Sequence, residues 1–240
     1  MTSPTVVLVH GAFADASSWS GVIAELQAAD VNATAPPNQL RGIPTDAAYL
    51  TSFVNQLGGP TILVGHSYGG ALITQSGTDA RDVVGLVYVA AFAPEADEKL
   101  ADINARYPDV PLAAAQRQLT YPTGDGKSAT EVFIDHASFH DAFCADLPEA
   151  QAQVMALTQR PVAVDAFTSV VTGTPAWRSL PSWAIVATAD HAIHPDAEHD
   201  MAKRAGAEVV ELDASHAVAV SQPARVAKVI LQAVHGTRSA

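Results

Sequence analysis

The stretch TILVGHSYGGALI, residues 61–73, places a serine between an apolar run and a glycine-rich segment. Its first part, Thr61–Gly65, is an aliphatic run typical of a strand buried on both faces. A helix is predicted from Tyr68 to about Gly77, so Ser67 lies on the turn between them. In Gly-x-Ser-x-Gly the two glycines leave room for a very tight bend. The pattern indicates either a plain glycine-rich turn or a nucleophile on a strained bend. The readable strand and helix favour the nucleophile.

Strands and helices alternate along most of the chain. The predicted strands share short β-branched or aliphatic runs: Thr5–Val9, Val31–Ala35, Thr61–Gly65, Val83–Ala90, Trp183–Thr188 and Ala207–Leu212. Helical spacing of apolar residues follows most of these runs, with Pro44, Pro195 and Pro223 near helix starts. This alternation predicts an α/β fold with a mostly parallel sheet covered by helices on both faces.

The alternation stops at Pro94 and resumes after Pro175. Between these prolines lie alanine-rich amphipathic pieces at 97–106, 112–118 and 149–159, and a hairpin is predicted across Gly124–Gly126. We therefore expect one α/β core formed by residues 1–94 and 176–240. Residues 95–175 are interpreted as a cap inserted between strands of that core.

The composition limits the possible partners. The chain has 240 residues, 48% of them hydrophobic and 16% charged, which is enough apolar material for a well-filled core. A net charge of -12 argues against nucleic acid and anionic membranes, because phosphate binding needs a basic face. Met1–Pro4 lacks the layout of a signal peptide, and the apolar run Val83–Ala93 is too short to span a bilayer. We expect a cytoplasmic protein without a membrane partner.

The single cysteine, Cys144, excludes an internal disulfide bond. A thiol nucleophile and a buried small hydrophobic side chain are the two interpretations, and the buried side chain is favoured.

A serine nucleophile needs a base, and the chain offers nine histidines. His216 follows the last predicted strand, in the same kind of loop as Ser67. In open parallel sheets the chemistry collects at the carboxyl ends of the strands. His216 is therefore the predicted base, with a solvated loop histidine as the alternative. His10 also follows a strand, but it precedes Gly11 and is expected to brace that loop by hydrogen bonds.

Asp190 follows the fifth predicted strand and is the carboxylate expected to orient His216. The order Ser67, Asp190, His216 along the chain is the order expected for this architecture. Two other carboxylates stay open as alternatives. Asp196 falls in the following helix, and Asp213 is close to His216 in sequence.

Acyl transfer also needs two N–H donors for the negative charge that develops on a carbonyl oxygen. One predicted donor is the backbone N–H of Tyr68, directly after the nucleophile. The other is the N–H of Ala12, in the loop after the first strand, where Gly11 allows a close approach. These residues predict an oxyanion hole formed by Ala12 and Tyr68.

Several blocks of the sequence resemble the α/β-hydrolase superfamily: VVLVHGAFADASSW, LVGHSYGGALI, LVYVAAFAP, ATADHAIHP and DASHAVAVSQP. They are spread over residues 6–223 and cover the sheet domain better than the cap. The chain is most similar to the small capped group that contains plant methyl-ester esterases, hydroxynitrile lyases and bacterial esterases. The resemblance implies an α/β-hydrolase fold and ester hydrolysis through Ser67, His216 and Asp190, without a metal or organic cofactor.

Other activities of similar proteins are alternatives. Hydroxynitrile lyases carry a threonine and a lysine where this chain has Gly11 and Ala217, so lyase activity is not expected. A cofactor-free perhydrolase or haloperoxidase shares the same three residues. A ligand-binding receptor on a hydrolase fold would usually have lost one of them.

Aromatic side chains are the candidate walls of a pocket between Ser67 and the cap. The predicted set is Phe13, Phe92, Tyr121, Phe139 and Trp177, with Phe133, Phe143 and Phe167 as further candidates. Phe13 and Phe92 are favoured because each follows a sheet strand. A mostly apolar lining predicts small neutral esters or lactones as the small-molecule substrate. The oligomeric state, monomer or homodimer, is open.

A metal site is the alternative for the histidine-rich stretch that starts at Asp190. His191, His194 and His199 follow it, but their spacing fits no standard zinc pattern. No metal site is predicted.

Overall fold

The computed structural model describes residues 3–237, and within this range nine strands are present. They are β1 Thr5–Val9, β2 Ala33–Thr34, β3 Thr61–Ser67, β4 Val83–Ala91, β5 Gln116–Pro122, β6 Ser128–Ile134, β7 Val162–Ala163, β8 Ser182–Ala187 and β9 Glu208–Leu212. The α-helices of the same range are α1 Ser20–Ala28, α2 Ile43–Leu57, α3 Tyr68–Asp79, α4 Leu100–Asn104, α5 Pro111–Ala115, α6 Phe139–Phe143, α7 Glu149–Thr158, α8 Asp165–Thr168, α9 Pro195–Arg204, α10 Val218–Ser221 and α11 Pro223–Gly236.

The main sheet confirms the predicted α/β architecture. Its six strands lie in the order β2-β1-β3-β4-β8-β9, and every neighbouring pair is parallel. The carboxyl ends of all six strands therefore meet at one edge, where the loops that carry Ser67, Asp190 and His216 begin. The predicted second strand is too long, because β2 pairs with β1 only at Ala33 and Thr34. The prolines that follow have no N–H to extend the ladder.

Both faces of the sheet are buried under helices. Successive strand side chains point to opposite faces, so Val6 and Leu8 pack with α1 and α11 while Val7 and Val9 pack with α2 and α3. Two apolar cores result, one on each side of the sheet. This double burial explains why the strands read as continuous aliphatic runs rather than alternating ones.

The segment between β4 and β8 has a different organisation. It contains α4–α8 and a three-stranded antiparallel sheet in the order β5-β6-β7. The predicted hairpin is confirmed, since β5 and β6 pair in register from Gln116↔Ile134 to Pro122↔Ser128. The predicted helical piece at 112–118 is wrong beyond Ala115. Pairing with β6 along its length draws Gln116 into β5, so tertiary contact overrides the local helix preference of this stretch.

None of the helices in residues 3–237 combines the length and the apolar character needed to cross a bilayer. The prediction about a signal peptide concerns Met1–Pro4, and its first two residues lie outside the described range.

Candidate active site

Ser67 lies on a strained bend between β3 and α3. Its φ of 54° and ψ of -123° lie outside the usual regions for a residue with a side chain. The bend leaves no room for neighbouring side chains: a Cβ on Gly65 would be 2.5 Å from the Gly69 carbonyl oxygen, and one on Gly69 would be 2.4 Å from that of Val9. The two glycines therefore permit the tight bend that holds Ser67 at the carboxyl edge of the sheet, as the nucleophile interpretation requires.

Asp190 and His216 meet at the same edge. Asp190 Oδ2 lies 2.5 Å from His216 Nδ1, and both side chains are buried. Asp190 Oδ1 accepts the N–H groups of Ala192 at 2.6 Å and Ile193 at 2.9 Å. Burial alone would raise the pKa of Asp190, but the charge and hydrogen bond of His216, the carboxyl of Glu198 and the Ile193 N–H hold it below its usual value. Asp190 is thus an ionised partner for the Nδ1 proton of His216, which leaves Nε2 as the basic nitrogen.

The two alternative carboxylates do not take this place. Asp196 is exposed, with Oδ2 3.7 Å from His194 Nδ1. Asp213 is also exposed, and its carbonyl accepts a hydrogen bond from Gln222.

His66 holds the backbone of His216 and was not singled out by sequence. Its Nε2 lies 2.9 Å from the His216 carbonyl oxygen, and the two rings are 4.7 Å apart. Phe143 packs edge-on against both imidazoles. Burial, reinforced by the neighbouring His216, lowers the pKa of His66 to about 3, so it is a neutral donor of the Nε2 hydrogen. Its position inside Gly-x-Ser-x-Gly is the one sequence signal that pointed to it.

The loop after β1 is braced as expected for His10. Its Nδ1 lies 2.9 Å from the Gly11 carbonyl oxygen, and its Nε2 accepts the Asn38 N–H at 3.0 Å. Asn38 returns a side-chain hydrogen bond to the His10 carbonyl at 3.1 Å. Burial lowers the pKa of His10 to about 4, so it is neutral. Within residues 3–237 the Ala12 N–H donates to no other group, which leaves it available to a ligand.

Tyr68 anchors the start of α3 through its side chain. Its hydroxyl donates a 2.8 Å hydrogen bond to Asp46 Oδ2, which also accepts the N–H groups of Arg41 and Gly42. The residue is 1% exposed, and its own backbone N–H belongs to the first turn of the helix. Because the first N–H groups of a helix lack intrahelical partners, this end of α3 favours an oxyanion.

A cavity of about 460 Å³ opens over Ser67 and His216. Ala12, Phe13 and Phe92 line it from the sheet side, as predicted for the two phenylalanines. The 95–175 segment supplies most of the opposite wall, with mostly apolar and amide side chains, one hydroxyl and one carboxylate: Ala101, Asn104, Ala105, Pro108, Asp109, Val110, Leu112, Ala113, Gln116, Gln118, Val132, Val164, Phe167 and Thr168. The volume is in the ordinary range for small-molecule sites.

Three of the predicted pocket aromatics do not line this cavity, and these predictions are corrected. Tyr121 lies under the guanidinium of Arg41, 4.0 Å from ring centre to Cζ. Phe139 is 1% exposed and packs on Phe143 at 5.1 Å. Trp177 donates its indole N–H to the backbone carbonyl of Pro94 at 3.0 Å. Each ring satisfies a structural contact instead, which composition could not distinguish from a wall position.

The further aromatic candidates divide in the same way. Phe167 lines the cavity, whereas Phe143 lies behind the imidazole of His216 at 5.1 Å. Phe133 packs near the ring of His136, at 6.0 Å.

The histidine-rich stretch after Asp190 does not converge. His191, His194 and His199 each face a different carboxylate, at 3.5, 3.7 and 3.1 Å respectively. In the described part of the chain, no three His, Cys, Asp or Glu side chains are grouped so that they could hold a metal ion. Cys144 is buried, and burial raises its pKa to about 12, as expected for a packing residue.

Comparison with known proteins gives a consistent picture. The family model described as the alpha/beta hydrolase family matches residues 6–229. The curated protein "Probable hydrolase R7" of a Phoma species is 26% identical over 97% of this chain and 98% of its own length.

Solved structures share the fold at low sequence identity. A pyrethroid hydrolase from Sphingobium faniae superposes with a TM-score of 0.77 and 21% identity, covering 100% of both chains. Polyneuridine aldehyde esterase gives a TM-score of 0.82 and 18% identity, covering 96% of this chain and 99% of that one. An extracellular hydrolase from a Paenibacillus species gives 0.71 and 20% identity over 96% and 98% of the two chains.

Proposed function

The chain belongs to the alpha/beta hydrolase family, and from that premise we propose that it is a serine hydrolase of small neutral carboxylic esters or lactones. One observation carries the proposal. Ser67, at φ 54° on its bend, opens into the same cavity as His216, whose Nδ1 lies 2.5 Å from buried Asp190. A nucleophile, a base and a carboxylate that orients the base are the parts that acyl transfer needs.

The proposed first step forms an acyl-enzyme on Ser67. The Oγ of Ser67 attacks the ester carbonyl carbon while its proton passes to Nε2 of His216. The tetrahedral intermediate then collapses: the ester C–O bond breaks, and the alcohol leaves with the proton from His216. Water repeats these steps in the second half, losing a proton to His216, and releases the acid and a free Ser67 hydroxyl. Asp190 stays ionised and stabilises the imidazolium that forms twice.

The proposed oxyanion hole consists of the Ala12 and Tyr68 N–H groups. Support comes from the braced loop around His10 and from the anchored first turn of α3. Fixed donors need no reorganisation when charge develops, so each is worth about 3 kcal/mol of transition-state stabilisation.

We propose that residues 95–175 act as the cap of this site. Support comes from the large share of the cavity wall that this segment supplies. The apolar side chains around Ser67 favour a neutral substrate, and the net charge of -12 disfavours anionic ones. Two of the similar structures bear the names of an esterase and a pyrethroid hydrolase, which supports an ester as the substrate class.

The lyase alternative meets a steric obstacle. A Cβ on Gly11 would be 2.6 Å from the Cβ of Ser67, so this backbone leaves no space for a threonine at that position. We therefore propose ester hydrolysis rather than cyanohydrin cleavage.

Kinetics on Ser67→Ala test the proposal. With p-nitrophenyl esters and lactones of graded size, kcat/KM should fall about 10⁴-fold or more, because the nucleophile is removed. Ser52→Ala, an exposed serine on α2, is the matched control and should keep wild-type rates. Repeated turnover distinguishes an enzyme from a binding receptor. Near-native hydrolysis by Ser67→Ala would overturn the proposal.

A further inference from the structure

Glu198 is a buried carboxyl directly behind Asp190, the carboxylate proposed to orient His216. It lies in the first turn of α9 and is 3% exposed. Its Oε2 accepts the N–H of Ala187, the last residue of β8, at 3.0 Å. Its Oε1 is buried, and within residues 3–237 it has no hydrogen-bond partner if the group is an ionised carboxylate. A buried charged oxygen without a partner is costly, so the second oxygen needs an explanation.

The carboxyl of Asp190 supplies that partner. Both residues hydrogen-bond to Ala187: the Asp190 N–H donates to the Ala187 carbonyl oxygen at 3.2 Å, and the Ala187 N–H donates to Glu198 Oε2 at 3.0 Å. The two neighbouring carboxyls then affect each other's pKa through charge and a shared hydrogen bond. Two adjacent buried carboxyls cannot both be ionised, and one of them keeps a proton. Asp190 already receives two backbone N–H donors and His216, whereas Glu198 receives a single N–H. Burial, followed by the charge and hydrogen bond of Asp190, raises the pKa of Glu198 well above its usual value.

We propose that Glu198 is a positioning residue: as a neutral carboxylic acid it donates a hydrogen bond from Oε1 to the Asp190 carboxylate and so fixes the group that orients His216. The inference rests on the proposed function of Asp190 and His216. It assigns this side chain a role in the chemistry, although it lies on a helix outside the cavity wall.

A bound proton, rather than a neighbouring cation, makes Glu198 neutral. The titratable groups facing it are Asp190 on the loop after β8, His216 beyond that carboxylate, and Tyr88 on β4. The Tyr88 hydroxyl is bonded to Thr74, and burial raises its pKa, so it stays neutral. Among the described residues no Lys, Arg or His forms an ion pair with Glu198. One net negative charge on the Asp190–Glu198 pair is then matched by one imidazolium during catalysis.

Two substitutions at this position separate the hydrogen bond from packing. Glu198→Gln keeps an acceptor for the Ala187 N–H and an N–H donor for Asp190. Glu198→Met keeps a similar volume but removes both. We expect kcat of Glu198→Gln within about threefold of wild type, and kcat of Glu198→Met lowered about 10- to 100-fold with KM nearly unchanged, as for other residues that orient a reacting group's partner. Asp196→Asn changes an exposed carboxylate of the same helical turn and should alter neither.

Infrared difference spectroscopy between the wild type and each variant detects the proton on Glu198 without any substrate. At pH 7 the wild type should show the C=O stretch of a buried protonated carboxyl, which Glu198→Gln loses and which Ser67→Ala and Asp196→Asn keep. In Asp190→Asn the band should shift to higher frequency, because the amide oxygen is a weaker acceptor than a carboxylate.

These outcomes are decisive for Glu198 whether or not the ester proposal holds. The inference is overturned if the band is absent at pH 7, if it survives in Glu198→Gln, if it is unmoved in Asp190→Asn, or if Glu198→Met turns over as fast as wild type. If the wild type hydrolyses no ester, but its infrared band is absent from Glu198→Gln, the proposed function alone is contradicted. Thermal unfolding of each variant verifies that Glu198→Met is folded, and the infrared test does not depend on that variant.

Discussion

Individual buried residues at the carboxyl edge of the sheet are held in particular protonation states. Burial keeps His10 and His66 neutral, with pKa values lowered to about 4 and about 3. Burial and the neighbouring Asp190 keep Glu198 protonated. Each neutral group makes hydrogen bonds that a charged form would disrupt. The geometry around Ser67 therefore depends on the protonation states of residues that do not react.

These protonation states predict how the free energy of unfolding depends on pH. Below 6.5 the unfolded chain protonates His10 and His66 while the folded chain does not, so unfolding is favoured as pH falls. Above 4.5 the unfolded chain has lost the Glu198 proton that the folded chain retains, which acts in the opposite direction. Between 4.5 and 6.5 the two histidines outweigh the single carboxyl, so the unfolding free energy should fall as the pH is lowered.

Urea unfolding between pH 4.5 and 8.5 measures this dependence. Above 6.5 only the Glu198 effect operates, so the unfolding free energy should pass through a maximum near that pH and decline on both sides. A flat profile, or one that rises steadily towards acid, would contradict the assigned protonation states.

The candidate site could be predicted from sequence only where a residue type and a loop position coincide. Ser67, Asp190 and His216 each follow a strand that the sequence predicts. Because these strands are parallel, the three residues lie at one edge of the sheet. His66 and Glu198 lacked such a signal. Their relevance depends on burial and on contact with a residue distant in sequence, as between His66 and the carbonyl of His216.

At the scale of elements, the close approach of α3 to β1 sets the bend. A Cβ on Gly69 would lie 2.4 Å from the Val9 carbonyl oxygen, and one on Gly70 would lie 2.3 Å from that of Phe92. The first turn of α3 therefore lies directly against the ends of β1 and β4. This contact aims the helix N-terminus at the cavity and brings the loop of Ala12 beside Ser67.

Gly69→Ala should consequently disturb both stability and activity. The contact is with backbone, which cannot move aside easily, so we expect a loss of about 1–3 kcal/mol in the free energy of unfolding. We also expect reduced kcat, because the Tyr68 N–H moves with the helix. Gly236→Ala, near the end of α11, meets only the ring of Trp183, at 3.0 Å, and should cost less than Gly69→Ala because this contact is longer and is with a side chain. Equal effects of the two substitutions in urea unfolding would show that the close approach is unimportant.

Most elements of the sheet domain follow from local pattern, and the failures are informative. Long strands flanked by their own helices were predictable, since period and turn residues agree. Residues 112–118 were not, because Gln116 joins a hairpin whose partner strand lies beyond the turn. The short β2 was overestimated because its length is set by pairing with β1 rather than by its own residues.

For the whole molecule, residues 95–175 and the sheet together shape the cavity. Which aromatics face it depends on packing between distant parts of the chain. Phe13 and Phe92 were predictable because they follow sheet strands. The insert offered no such rule, so Tyr121 was predicted in the wall and Phe167 was only a further candidate.

Phe167→Ala should enlarge the cavity and shift preference towards longer acyl chains. The measurement is kcat/KM across p-nitrophenyl esters of increasing length, where we expect the optimum to move by at least one step. Tyr121→Ala is the matched control, since this ring lies on Arg41 and not in the cavity wall. A profile moved by Tyr121→Ala and not by Phe167→Ala would refute the assignment of the wall.

In the proposed reaction Ser67 carries the acyl group during turnover. Mass spectrometry of peptides from acid-quenched reactions with p-nitrophenyl acetate measures this directly. We expect an added acetyl group on Ser67 in the wild type and none at that position in Ser67→Ala. Steady ester turnover with the acyl group on another residue, or with no covalent intermediate on quenching, would contradict it.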